Sequence, residues 1–238
     1  MRHVSDRIGM IRALIARQPD RTGGAAGLLG QVCLAAVHAL SASGAGASVL
    51  TDDGLRGASA ASDADSERLE ELQFVLGEGP CLEAFGSRRP VLVANLDNRP
   101  TDRWPVYAAA AYEGGIRAVF AFPLQVGAAR LGVLDVFRDR AGALTTDELA
   151  SALVLADVTV AALLDRQEDL GAAGAVDASA VAHRAELFQA QGMVMVQLGV
   201  TIGEALARIR AYAYAENRRL SDVARDVVAR RLRFDQDH

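Results

Sequence analysis

The 238-residue sequence contains no lysine: all 25 of its basic residues are arginine. Basic function therefore has to be read from where the arginines stand, not from how many there are. Cysteine is almost as scarce. Cys33 and Cys81 lie far apart with no CxxC spacing, and His3, His38, His183 and His238 are scattered. No disulfide framework and no zinc-type ligand spacing follows. Aromatics make up 5% of the chain against 51% hydrophobic residues, so the core material is Ala, Val and Leu. No run of eighteen apolar residues occurs, which excludes a membrane span of the usual length. The first thirty residues mix charges with apolars, unlike a secretory signal, so a cytoplasmic location is expected.

What is present is an uneven distribution of charge. Residues 1–180 hold 16 Arg against 23 Asp and Glu, whereas residues 181–238 hold 9 Arg against 7, so a net charge of −5 hides a basic tail. The length suits one medium domain plus a small one.

Apolar positions at helical spacing predict helices over 4–17 and 28–40, the first ended by Pro19 and the Gly23-Gly24 pair. Strand patterns follow at 47–50 and 55–60 around the hairpin signal TDDG at 51–54, then at 90–96, 116–126 and 130–139. The last two are joined by the turn at 127–129. The arrangement is α+β: an antiparallel sheet with helices at both ends of the domain, not a βαβ ladder. A helix over 146–167 opens with Thr145 three residues before Glu148, a capping-box spacing. Its apolar residues Leu149, Leu153, Ala156, Val160 and Leu163 form a narrow seam that suits either helix pairing or packing on the sheet. Residues 171–179 are small and aperiodic and read as a linker.

Cys81 stands in GEGPC at a helix start, where a thiol is either a small buried plug or a nucleophile activated by the helix N-terminus. Trp104, Tyr107, Tyr112, Phe120 and Phe122 concentrate several of the few aromatics, as either core or the wall of a small-molecule pocket. Asp135 alternates with Leu131, Val133 and Phe137 on one strand face. It is a buried partnered acid or a ligand contact, and alternation does not choose between them.

Residues 181–234 read as three short amphipathic helices. The first places Val181, Ala185, Phe188, Gly192 and Met195 in one stripe, with Arg184 and Gln191 on another side. The second opens with a Thr201–Glu204 capping box and a stripe of Ile202, Leu206, Ile209 and Ala213. The third runs from Leu220 to Leu232. So small a unit buries little core alone, so it should lean on the rest of the chain or on a second copy. Arg208, Arg210, Asn217, Arg218 and Arg219 cluster on the exposed remainder with Tyr212 and Tyr214 nearby. Guanidinium forks grip phosphate and base edges, and tyrosine planes stack on unpaired bases. The alternative is that these arginines pair with Glu204, Glu216, Asp222 and Asp226.

In order and spacing, QAQGMVMVQLGV (189–200), EALARIRAYA (204–213) and NRRLSDVARDVV (217–228) resemble the ANTAR family of RNA-binding transcription antiterminators. LGEGPCLEAF (76–85), RPVLVANL (89–96), GIRAVFAFPL (115–124) and LGVLDVF (131–137) resemble a GAF sensor domain, in the version that accompanies ANTAR tails. The resemblance implies an N-terminal helix (1–22), a sensor (23–168), a linker (169–179) and a three-helix RNA-binding module (180–234). It implies hairpin RNA in nascent transcripts as partner, a homodimer, and control by the sensor. Arg184, Gln191, Arg208, Arg210, Tyr214, Asn217, Arg218 and Arg219 are the candidate RNA contacts; Cys81, Trp104, Tyr107, Phe120, Phe122 and Asp135 are the candidate sensor pocket. Many members carry lysine where this chain has Gln191, which can bond a base edge but supplies no charge. No cofactor or metal follows, although the sensor could hold an unidentified small molecule. No nucleophile–base pair or phosphate loop appears, so no enzyme is expected. A DNA-binding regulator, or an interaction module whose tail no longer binds nucleic acid, stays open.

Overall fold

Alternating small and branched residues, with turn formers between them, set up five strands: β1 (Gly44–Leu50), β2 (Arg56–Ala61), β3 (Val91–Val93), β4 (Ala118–Val126) and β5 (Ala129–Arg138). In the computed structural model, which describes residues 2–50, 56–97, 103–171 and 178–235, they form one sheet of order β2-β1-β5-β4-β3. Every neighbouring pair is antiparallel. The expected 51–54 turn and most of the 171–179 linker lie outside the described residues.

The helices are α1 (Arg2–Ala16), α2 (Gly24–Ala39), α3 (Ala64–Leu76), α4 (Pro80–Ser87), α5 (Pro105–Glu113), α6 (Thr146–Gly171), α7 (Ala178–Leu198), α8 (Ile202–Ala215) and α9 (Leu220–Val228). Strand alternation sorts the first six between the two faces of the sheet. Phe120, Phe122, Leu124, Leu134 and Val136 point to one face and are buried under α1, α2 and α6. Val119, Ala121, Val133 and Phe137 point to the other, under α3, α4 and α5.

The sequence reading of helices only at the domain's ends is incomplete, because it omits α3 and α5. Helix α3 escapes the apolar-period test since several of its buried positions are polar: Ser66, Glu70 and Gln73. Helix α5 is short and alanine-rich, with little contrast between its faces. The α6 capping box forms as expected: the Thr145 N–H donates to Glu148 Oε2 at 2.8 Å and the Glu148 N–H to Thr145 Oγ1 at 3.2 Å. Helix α6 buries a broad face that includes Ala152, Leu155, Ala156, Val158, Val160 and Leu163, while Leu153 of the anticipated seam is 44% exposed. It therefore packs on the sheet and on α1 and α2.

Candidate nucleic-acid interface

Helices α7, α8 and α9 close around their own small core of Ala190, Val194, Ala205, Ile209, Ala213, Leu220, Val223, Ala224 and Val227. The capping box that starts α8 is complete, with Thr201 and Glu204 each bonding the other's backbone. Between α8 and α9 the chain turns through Asn217 in the left-handed region (φ 49), a conformation asparagine tolerates better than most residues. Two expectations for the tail need correction. Helix α7 is rotated relative to the expected stripe: Phe188 is exposed, whereas Ala190, Gln191 and Val194 are buried. Apolar residues surround this helix, so the sequence alone does not single out a face. Gln191 is thus 4% exposed inside the tail and does not face outward as a base contact. In α8, Ile202 is exposed and Ala205 takes its place in the core.

The candidate arginines of the tail stand in different states. Arg208 and Asn217 are exposed, as is Tyr214, at 48%. The Arg184 side chain lies outside the described residues. Arg218 donates to Asp226 at 2.5 Å, and Arg231 donates to the same carboxylate at 2.7 Å. Those two guanidinium groups hold the Asp226 carboxyl below its ordinary range. Arg218 is in this respect the fold-stabilising arginine that the charge-pairing alternative anticipated.

Arg210 and Arg219 instead reach across to the larger domain. The Arg219 guanidinium donates to Glu67 of α3 at 2.8 Å, and Glu71 of α3 accepts the Leu220 N–H at 3.0 Å. Glu71 therefore caps the first turn of α9, where helix N–H groups and the helix dipole favour a negative charge. Arg210 lies over Gly77 at the C-terminal end of α3: a Cβ on Gly77 would come within 2.8 Å of its Nη1. Burial depresses the Arg210 guanidinium, and its Nε has no hydrogen-bond partner among the described residues. Val75, also on α3, completes the tail's own core. The small unit thus leans on the sensor, one of the two supports its size called for. Glu67, Glu71, Val75 and Gly77 were invisible as site residues in the sequence, because nothing local announces which helix covers α8 and α9.

The candidate pocket is divided by the sheet. Cys81, Trp104, Tyr107 and Asp135 sit on the face under α3–α5 and are buried, whereas Phe120 and Phe122 belong to the opposite core. Trp104 and Tyr107 meet edge to face at 6.4 Å. The GEGPC segment is a structural joint. Gly77 ends α3 in the left-handed region (φ 71), Glu78 Oε1 accepts the Val106 and Tyr107 N–H groups at 2.8 Å each, and Pro80 opens α4. The Cys81 N–H donates to Gln73 Oε1 at 2.8 Å.

Comparisons with known proteins match two families along the chain. Residues 25–164, more than half of the chain, match the GAF domain family, and residues 178–228 match the ANTAR domain. Among solved structures, the GAF domain of a phosphoenolpyruvate-protein phosphotransferase from Coxiella burnetii is 18% identical over 73% of this chain and 97% of its own, with a TM-score of 0.50. A domain of a two-component sensor histidine kinase protein from Sinorhizobium meliloti is 20% identical over 65% and 100%, with a TM-score of 0.51. An N-acylhomoserine lactone dependent LuxR family transcription factor from Burkholderia cenocepacia is 20% identical over 71% and 99%, with a TM-score of 0.50. At these identities the likeness is one of fold. A comparison with curated proteins gives no match.

The molecule is a regulator built from a sensor domain and a helical output domain. More particularly, the chain belongs to the GAF family and continues into an ANTAR domain, the RNA-binding module of antitermination regulators. Both are regulatory rather than catalytic domains. Among the described residues, no single helix is long and apolar enough to cross a membrane.

Proposed function

We propose that this protein is a signal-responsive transcription antitermination regulator in which the GAF domain, residues 23–168, controls hairpin-RNA binding by the ANTAR domain, residues 180–234. The observation that carries the reading is the seat of the tail's arginine face on α3. Glu67 holds Arg219, Glu71 occupies the N-terminus of α9, and half-buried Arg210 lies against Gly77 with its Nε unpartnered among the described residues. Helix α3 presents carboxylates where RNA would present phosphates, so the two compete for the same groups. A signal that moves α3 releases Arg210 and Arg219 to join Arg208, Tyr214, Asn217 and Arg218 on the RNA. Release also ends the uncompensated burial of the Arg210 Nε, which keeps the docked state from being too stable to open.

The reading includes a homodimer, for which Phe188 and Val196 on α7, 44% and 76% exposed, supply uncovered apolar surface. It also includes a cytoplasmic location, where nascent transcripts are made. Fluorescence anisotropy of the full chain with a two-hairpin RNA, a scrambled RNA and duplex DNA tests it. The account expects at least a tenfold preference for the hairpins. A preference for duplex DNA would move the assignment to a DNA-binding regulator, and indifference among the three would leave a protein-interaction module.

A further inference from the structure

Three side chains able to bind a metal meet under α3, although no two of them are near in sequence. Gly46 of β1 stands directly opposite Asp135 of β5. Because Gly46 has no side chain, Glu70 drops from α3 onto the sheet at that point: a Cβ on Gly46 would lie 2.3 Å from Glu70 Cγ. Helix α4 brings the third group, Cys81, whose N–H is held by Gln73 one turn along α3 from Glu70. A carboxylate oxygen from Glu70, one from Asp135 and the Cys81 Sγ all lie within 4.8 Å of one another, and the three residues are no more than 1% exposed.

The surroundings favour a cation there. Ser48 Oγ donates to Glu70 Oε2 at 3.0 Å and Gln73 Nε2 to Glu70 Oε1 at 3.4 Å, which orients that carboxylate. The fully buried Asp135 carboxyl has Glu70, Cys81 and Gln73 as its polar neighbours. The Tyr107 hydroxyl, on a fully buried residue, has no hydrogen-bond partner among the described residues. Two carboxylates this close in a dry interior do not both stay ionised unless a positive charge joins them.

We infer that Glu70, Cys81 and Asp135 form a site for one borderline-soft divalent cation of the Zn²⁺ type, with a fourth position beside the Tyr107 hydroxyl. A thiolate with two carboxylates excludes a hard ion such as Mg²⁺ as the preferred occupant, and three protein ligands leave one position open. Tetrahedral coordination draws such donors to roughly 3.5 Å apart, so the widest spacing contracts by about one ångström. On binding, the hydrated dication sheds water, the Cys81 thiol gives up its proton, and the proton held by the carboxyl pair leaves; no electron is transferred. Glu70 lies on α3 between Glu67 and Glu71. Occupancy therefore pulls on the helix that covers the tail, a consequence that rests on the function proposed above.

Chelator-treated full-length protein titrated with Co²⁺ tests the site. The expected result is one ion per chain and a near-ultraviolet thiolate-to-cobalt absorption band. Cys81→Ser removes the band, Cys33→Ser leaves it, and Asp135→Asn weakens binding at least tenfold while circular dichroism reports an intact fold. If Asp135→Asn does not fold, wild type and Cys33→Ser still decide the matter. No binding by wild type at millimolar Co²⁺, or a band that disappears with Cys33→Ser, overturns the proposal. Hairpin-RNA affinity with and without bound Zn²⁺ separates the two claims. A bound ion with unchanged RNA affinity retains the site and removes its link to α3, whereas sensor-controlled RNA binding without any metal retains the function and removes the site.

Discussion

Arg219, at the start of α9, donates a 2.8 Å hydrogen bond to Glu67 of α3, a residue 152 positions earlier in the chain. Both side chains are about half exposed, so the pair on its own is worth only a few tenths of a kcal/mol to about 1 kcal/mol. Its importance is positional: the arginine expected to meet RNA already has an acidic partner belonging to the sensor.

The hydrophobic part of that docking runs through Val75. It is 5% exposed and belongs to the core of the tail as much as to α3. Val75→Ala should weaken the docking by about 1–2 kcal/mol. Hydrogen exchange will read this as faster exchange in α8 and α9 with little change in β4 and β5. Uniform acceleration through the sheet would mean that Val75 supports the sensor's own fold instead.

Arg219→Ala and Arg218→Ala should behave differently. The Arg219 side chain makes no bond within the tail among the contacts described, so its removal should leave the tail folded, weaken RNA binding across sequences and lower the salt dependence by roughly one released counterion. Arg218 anchors Asp226 across the α8–α9 turn, so its loss should lower the melting temperature as well. Equal stability losses in the two variants would contradict this division.

Gly46 is required by the polar cluster and not by its own backbone. Gly46→Ala places a methyl 2.3 Å from Glu70 Cγ, where a fully buried side chain has to move. A loss of about 1–3 kcal/mol is expected in urea unfolding. A second change, Glu70→Ala, should restore much of it by removing the obstruction. Additive losses would show that the two residues are not in conflict.

Glu148 ties the start of α6 to the sheet through Thr145 and a 2.5 Å contact with Arg138. Burial raises its carboxyl, but the Thr145 bonds and Arg138 outweigh that and hold it below the usual range. Because the folded value is depressed, its stabilisation is present above the ordinary glutamate pKa and is lost as pH falls through the lower folded value. Glu148→Gln should therefore cost about 1 kcal/mol at pH 7, with the deficit closing as both proteins are acidified through that window. A deficit independent of pH would place the effect in packing.

The strands and the terminal helices were legible because alternation and helical spacing are written locally, as in residues 118–138 and 146–163. The capping boxes at Thr145 and Thr201 were legible for the same reason. Helix α3 was not, because Glu70 and Gln73 occupy positions where a period search looks for apolar residues. The face of α7 was misread, and with it Gln191, since apolar residues all round a helix leave the choice to whatever packs against it. Alternation correctly placed Asp135 with Val133 and Phe137, yet its neighbours Glu70 and Cys81 arrive from two helices, so spacing rules for metal ligands had nothing to detect. In the same way, the aromatic cluster at 104–122 was open to a reading as core or as pocket wall, and the sheet splits it between two cores.

Hairpin-RNA affinity of the full-length protein, compared between wild type and Glu67→Gln/Glu71→Gln, tests the competition between α3 and RNA most directly. Removing an exposed ion pair and a helix cap subtracts about 1–2 kcal/mol from the docked state, so the variant should bind about tenfold more tightly at fixed salt without any signal present. Unchanged or weaker binding by a folded variant would mean that α3 does not hold the arginine face away from RNA.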